Sequence, residues 1–136
     1  MKYDIYKIGG ILIKDKKLLV TRSKNKEFFI APGGKVEEGE SPEDALIREL
    51  LEEVSIVVEK DQLKKVGTFF APAAGNESSM LKMDVFIVES WKGKIIPSRE
   101  VEEVRWINSN FSKEMKVGSI FEHEVIPKLK SLKVIE

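Results

Sequence analysis

Gly34-Lys35-Val36-Glu37-Glu38-Gly39-Glu40-Ser41-Pro42-Glu43-Asp44-Ala45-Leu46-Ile47-Arg48-Glu49-Leu50-Leu51-Glu52-Glu53-Val54-Ser55-Ile56 is the stretch that organises this chain. Ser41 can cap a helix, Pro42 suits its first position, and Glu43 and Asp44 favour the positive end of its dipole. Leu46, Ile47, Leu50, Leu51 and Val54 recur at helical spacing, which predicts a helix over 42–54. At about 100° per residue, Glu49, Glu52 and Glu53 fall within an arc of roughly 100°, beside an apolar arc of about 140°. Three like charges so placed cost a few tenths of a kcal/mol per pair, a repulsion that a hard divalent cation would offset. A solvated acidic face is the plain alternative. Two neighbours favour the cation. Pro32-Gly33-Gly34 can bring backbone close to a metal or phosphate, and Arg48 can brace the acids by holding Glu52 at i+4 or reaching back to Glu40.

Upstream, β-formers from Ile5 to Ile13 and from Leu18 to Arg22 flank the polar turn Lys14-Asp15-Lys16-Lys17, predicting a hairpin. Gly9 and Gly10 inside the first strand mark a bulge or a close approach. Downstream, Ile56 to Val58 is a short apolar piece. Val66 to Phe70 reads as a strand ending at Ala71-Pro72, Ala73 to Ser79 as a mobile loop, and Met83 to Trp91 as a strand closed by Lys92-Gly93-Lys94. A last strand spans Glu103 to Ile107. Asn108-Ser109-Asn110 would cap a short helix near Phe111 to Met115, and a final helix runs from Gly118-Ser119 to Leu132, kinked or restarted at Pro127. The fold class is α/β (α+β), with helices covering the faces of a mixed β-sheet. Residues 1–136 read as a single domain, with no repeat or linker.

Zero Cys excludes a disulfide framework, thiolate zinc sites and thiol catalysis, and makes a reducing, cytoplasmic location the default expectation. Lys+Arg and Asp+Glu both count 23, so no bulk field draws the chain to polymeric nucleic acid or anionic lipid. The longest apolar stretch, Ile8 to Ile13, is far short of a membrane span, and no signal-peptide core begins the chain.

The stretch quoted above resembles the Nudix hydrolase box, Gly-x5-Glu-x7-Arg-Glu-U-x-Glu-Glu-x-Gly-U with U a bulky aliphatic. Gly34, Glu40, Arg48, Glu49, Leu50, Glu52, Glu53 and Ile56 supply eight of its nine defined positions. Phe29-Ile30-Ala31-Pro32-Gly33-Gly34 is similar to the family's aromatic-x-aliphatic-Pro-Gly-Gly approach to the box. Ser55 departs, standing where the family has Gly; either it takes the left-handed conformation at about 1 kcal/mol or the chain leaves the helix differently.

The resemblance implies an α/β/α sandwich and Mg²⁺- or Mn²⁺-dependent hydrolysis of a nucleoside diphosphate linked to another group. It implies Glu49, Glu52 and Glu53, with the Gly34 carbonyl, as metal ligands, Arg48 as their catalytic brace, and Gly33 and Glu40 as structural members of the motif. For the general base it points to Glu100, six residues before Trp106; Glu103 and Glu53 itself are the alternatives. Lys35 and Arg22 are phosphate-holding candidates or surface charge. Phe29 is a substrate-binding candidate, while Phe28, Phe69, Phe70 and Trp106 are stacking platforms or core. His123 reads as a surface residue.

Compact length and the Glu100 spacing favour a MutT-like nucleoside triphosphate pyrophosphohydrolase, releasing a nucleoside monophosphate and pyrophosphate. The alternative is an ADP-ribose or other nucleoside-diphosphate-sugar pyrophosphatase, for which Pro72, 16 residues after Ile56, is a weak marker. Ser55 keeps open a non-catalytic nucleotide sensor. Glu122 stands where MutT-like members place a base-reading Asn, so oxidised purine is one substrate option among several. Family members are often homodimers.

Overall fold

The computed structural model describes residues 2–73, 76–98 and 100–136. Its strands are β1 (Ile5–Ile11), β2 (Ile13–Lys14), β3 (Lys17–Ser23), β4 (Gly33–Lys35), β5 (Leu63–Ala73), β6 (Asn76–Val88) and β7 (Val101–Ile107). They form two sheets. The mixed sheet has the order β4-β1-β6-β5, with β1 parallel to β6; the other, β2-β3-β7, is antiparallel. The first predicted strand is divided between them. The chain leaves the mixed sheet at the fully buried Leu12, and Ile13 starts the β2–β3 hairpin, whose turn residues Asp15 and Lys16 have φ of 53° and 59°. Two positive φ values in a two-residue loop match the right-handed twist of the flanking strands.

Helix α1 (Pro42–Val54) covers one face of the mixed sheet, with Leu46, Leu50 and Val54 buried against Ile8, Leu12 and Phe86. On the opposite face Phe121, Val125, Ile126 and Leu129 pack against Ile11, Met83 and Val85. Helix, sheet and helix are thus stacked as the family resemblance implies. Side chains that α1 buries fully are worth roughly 1.5–3 kcal/mol each. Gly9 and Gly10 lie in an unbroken register with Val85 and Phe86, so no bulge interrupts β1. Their role is close packing: a Cβ at Gly10 would come within 3.2 Å of Leu46 Cδ1.

Three local expectations are corrected. Asn76 to Ser79 belong to β6 and Ala73 to β5, so five of the seven residues of the expected loop are strand; Ala74 and Gly75 fall outside the described residues. The strand expected to stop at Ala71-Pro72 continues through them, because β5 is an edge strand, where a proline's missing N–H is tolerated. Phe111 to Met115 is turn rather than helix: Asn108 Oδ1 and Ser112 Oγ accept the N–H groups of Asn110 and Glu114, giving the backbone a local alternative.

Pro127 restarts the last helix. A π-helical turn, Phe121–Val125, leads into α2 (Ile126–Ser131), and the Ile126 N–H bonds the Phe121 carbonyl. The wider turn precedes a residue that has no N–H of its own and whose ring crowds the carbonyl of His123. Among the described residues no helix is long and apolar enough to cross a membrane.

Candidate active site

Helix α1 starts at its predicted cap, and at its end the structure takes the first of the two alternatives open for Ser55. Ser41 Oγ accepts the Asp44 N–H at 3.1 Å. At the other end Ser55 takes the left-handed conformation, φ 66° and ψ 26°, in the position the family gives to Gly. Its N–H closes the helix onto the Leu50 and Leu51 carbonyls, and its hydroxyl donates to the Ile96 carbonyl at 2.8 Å. A side chain with a Cβ costs roughly 1–2 kcal/mol in that conformation, and a net hydrogen bond returns about 1 kcal/mol.

Gly33 and Gly34 bring β4 against this helix. At Gly33, φ 155°, a Cβ would sit 2.0 Å from the Ile8 carbonyl oxygen, so no side chain fits. Its N–H donates to Glu53 Oε1 at 2.8 Å. At Gly34 a Cβ would stand 2.7 Å from the carboxyl carbon of Glu49, so this backbone lies directly against that carboxylate.

Arg48 takes the backward reach as its main hold. Nε and one terminal nitrogen grip Glu40 at 2.8 and 2.9 Å, the other terminal nitrogen holds Glu49 at 2.7 Å, and the Lys35 carbonyl accepts at 3.2 Å. Glu52 stands at 3.5 Å and is largely exposed. The Arg48 bond, helped by the Glu37 N–H, holds the Glu40 carboxyl down at about 2. Glu49 is displaced the other way: burial raises it despite Arg48. Glu53 is pushed up to about 7, first by burial, then by Glu49, Glu100 and Glu52, against the Gly33 N–H.

Among the described residues no three acidic or histidine side chains already stand in a coordinating arrangement. Arg48 draws Glu49 one way and the Gly33 N–H holds Glu53 another. The donor set nevertheless fits a hard divalent cation. Its atoms are carboxylate oxygens, and the Glu53 carboxyl, raised first by burial and then by Glu49, Glu100 and Glu52, marks a place short of positive charge.

Two hollows meet at Glu49 and Glu53. The smaller, about 200 Å³, is lined by Glu49, Glu52, Glu53, Ser98 and Glu100. The larger, about 610 Å³, adds Lys7, Lys26, Lys35, Phe28, Ile30 and Met83 to Glu49 and Glu53. Glu100 is therefore brought to the acids. Glu103 is not: it pairs with Arg22 and Arg105 across β3 and β7, and the Arg105 bond, then that of Arg22, holds its carboxyl low. Arg22 also bonds Glu102 at 2.7 Å and lies beside a separate hollow. Phe29 is buried with the Arg22 and Arg105 guanidiniums over its ring, and Phe28 reaches the large cleft in its place. Trp106 and Phe69 pack at the margins of the core. His123 is exposed and faces Glu122.

Sequence reasoning missed Lys7 and Lys26. Burial, then Lys35 and Lys26, lowers the Lys7 ammonium below its ordinary range, so these cations crowd one wall. The signal was available for Lys7, which alternates with apolar residues on a buried strand. For Lys26, in a turn, there was none.

The family profile described as the NUDIX domain matches residues 6–119. The ADP-ribose pyrophosphatase of Methanocaldococcus jannaschii is 30% identical over 135 residues, taking in 93% of this chain and 76% of that protein. The 8-oxo-dGTP diphosphatase of Buchnera aphidicola is 37% identical over 84 residues, 61% of this chain and 64% of that protein, so this chain spans less than two thirds of its length in the match. A solved MutT structure, from work on the Aliivibrio salmonicida and Vibrio cholerae proteins, agrees with a TM-score of 0.68 at 25% identity, covering 94% of this chain and 98% of that one. With its acid-bearing helix packed on the mixed sheet against the glycines of β4, and a family match over most of its length, the chain belongs to the Nudix hydrolase family.

Proposed function

We propose that this chain, working as one domain, hydrolyses the pyrophosphate bond of a nucleoside triphosphate to give a nucleoside monophosphate and pyrophosphate. One observation carries the reading: a single cleft has carboxylates Glu49, Glu53 and, through the adjoining hollow, Glu52 and Glu100 at one end, and Lys7, Lys26 and Lys35 along its wall. Acids suit cations and lysines suit a run of phosphates.

Glu49, Glu52 and Glu53, with the Gly34 carbonyl, would hold Mg²⁺ or Mn²⁺, which when bound supplies neutralisation of phosphate charge and acidification of a water. Glu100, free of the arginine pairing that occupies Glu103, takes the proton as a water oxygen attacks phosphorus and the anhydride P–O bond breaks. Lys7, Lys26 and Lys35 bind the phosphates. Arg48 keeps Glu49 and Glu40 in place, and Phe28 with Met83 offers an apolar floor for the nucleoside. The absence of Cys and the balanced charge favour a cytoplasmic enzyme acting on small nucleotides, with no polymeric nucleic acid partner, and a homodimer is the proposed assembly.

A nucleotide panel with magnesium or with EDTA tests this. Triphosphates should turn over in magnesium and lose activity with EDTA by about 10³-fold or more. The second reading, cleavage of ADP-ribose, is favoured by the name of the Methanocaldococcus jannaschii relative; preferential turnover of ADP-ribose would replace the triphosphate assignment. Binding without any metal-dependent turnover would favour a sensor.

Glu53 also makes cation binding pH-dependent. Its folded value near 7 lies above the ordinary 4.5, so the folded protein keeps a proton that the unfolded chain has released. This contribution to stability falls as pH rises from about 4.5 to about 7 and then stays level. Millimolar magnesium should therefore raise Tm by about 5 °C or more at pH 8 and by less than about 2 °C at pH 5. Equal shifts at both pH values in thermal denaturation would remove Glu53 from the cation site.

A further inference from the structure

Ser55 does more than end α1. Its hydroxyl reaches 41 positions along the chain to the Ile96 carbonyl, at 2.8 Å. Two backbone bonds lie beside that contact: Ile96 N–H to the Val54 carbonyl at 3.0 Å, and Ser98 N–H to the Glu53 carbonyl at 2.9 Å. The segment so fastened leads directly to the hollow where Ser98 and Glu100 stand with Glu49, Glu52 and Glu53. On the far side the Glu100 carbonyl accepts the Lys24 N–H at 2.9 Å, tying the same stretch to the end of β3. The family's glycine would take the left-handed conformation without strain, but it has no hydroxyl to offer Ile96.

We propose that Ser55 is a positioning residue, whose hydroxyl clamps the 96–98 segment onto the end of α1 and so sets Glu100 against the acidic face of that helix. The inference rests on the reading of Glu100 as the general base. A residue serving only to end the helix would be replaced by glycine with no catalytic effect. A clamp would not.

Ser55→Gly and Ser55→Ala separate strain from clamping. Glycine relieves the strained conformation and loses the hydroxyl bond; alanine keeps the strain and loses the same bond. Ser55→Gly should hold or raise Tm, lower kcat about three- to tenfold and change KM by less than about twofold, because positioning of a proton acceptor acts on the chemical step. Ser55→Ala should show the same fall in kcat with a lower Tm. Amide hydrogen exchange at Ser98 should quicken about fivefold in both variants, with β1 unchanged. Adding Ser55→Gly to Glu100→Gln should lower kcat no further. The proposal is overturned if Glu100→Gln is impaired while Ser55→Gly keeps wild-type kcat and Ser98 exchange. If Glu100→Gln turns over normally, the base assignment fails, and the Ser98 exchange rate alone then upholds or overturns the clamp.

Discussion

Glu53→Gln is expected to lower kcat by about 10³-fold or more while leaving Tm within a few degrees of the parent. The two halves of this expectation have separate causes. Glutamine keeps an oxygen that can accept the Gly33 N–H, now bound at 2.8 Å, so the contact between β4 and α1 survives. With its carboxyl pushed up to about 7, cation-free Glu53 is already about half neutral near pH 7, so a neutral isostere removes only part of a charge from the resting site. Above pH 7 the variant should even gain in the absence of cation, since an ionised Glu53 faces Glu49, Glu100 and Glu52. Catalysis is different. A cation shared with phosphates needs the anionic form, and an amide oxygen carries no net charge. Steady-state kinetics in magnesium, beside thermal denaturation in EDTA, measure the two effects; near-normal turnover excludes Glu53 from the ligand set.

What could be seen in the sequence follows from how local each cause is. The span of helix α1 was legible because its cap, its proline and its apolar spacing all lie within the helix and the residue before it, whereas the conformation of Ser55 at its end was left between two alternatives. Arg48 was left with two partners by sequence, as both lay within reach, and the turn at Glu37 to Glu40 decided for Glu40 by bringing its carboxylate under the Glu37 N–H. The division into two sheets was not legible. It turns on Leu12, an apolar residue in an apolar run, whose burial between layers marks the crossing. Nor was the separation of Glu100 from Glu103, three residues apart in one acidic run. Register places Glu103 opposite Arg22 on β3, whereas Glu100 precedes the strand and stays at the hollow. The buried Asp84 was equally hidden: Tyr6 of β1 and Thr68 and Lys65 of β5 satisfy it, from the two strands that flank its own.

Arg48→Ala should carry the largest combined penalty, a loss of about 2–3 kcal/mol in stability and a fall of about 10²-fold in kcat. Charged hydrogen bonds to Glu40 and Glu49, and one to the Lys35 carbonyl, disappear together. Their individual worth of about 1.5–3 kcal/mol is not additive, because the freed carboxylates turn partly to water. Glu49 is half-buried and already raised by burial, so without its counter-charge it takes up a proton more readily and serves a cation less well. Glu40 gives the stability loss a pH signature. Its folded value of about 2 lies below the ordinary 4.5, so the stabilisation from its pairing is complete above about pH 4.5 and is lost as pH falls toward 2. The gap in Tm between parent and variant should therefore be widest near neutrality and close as the solution is acidified through that window. Arg48→Lys is the sharper control. It restores charge at a single point but not the two-pronged grip on Glu40, so it should recover less than about half of the lost stability. A variant without arginine that melts within about 2 °C of the parent at pH 7 would show that the acids need no brace, and that the helix holds its carboxylates apart by spacing alone.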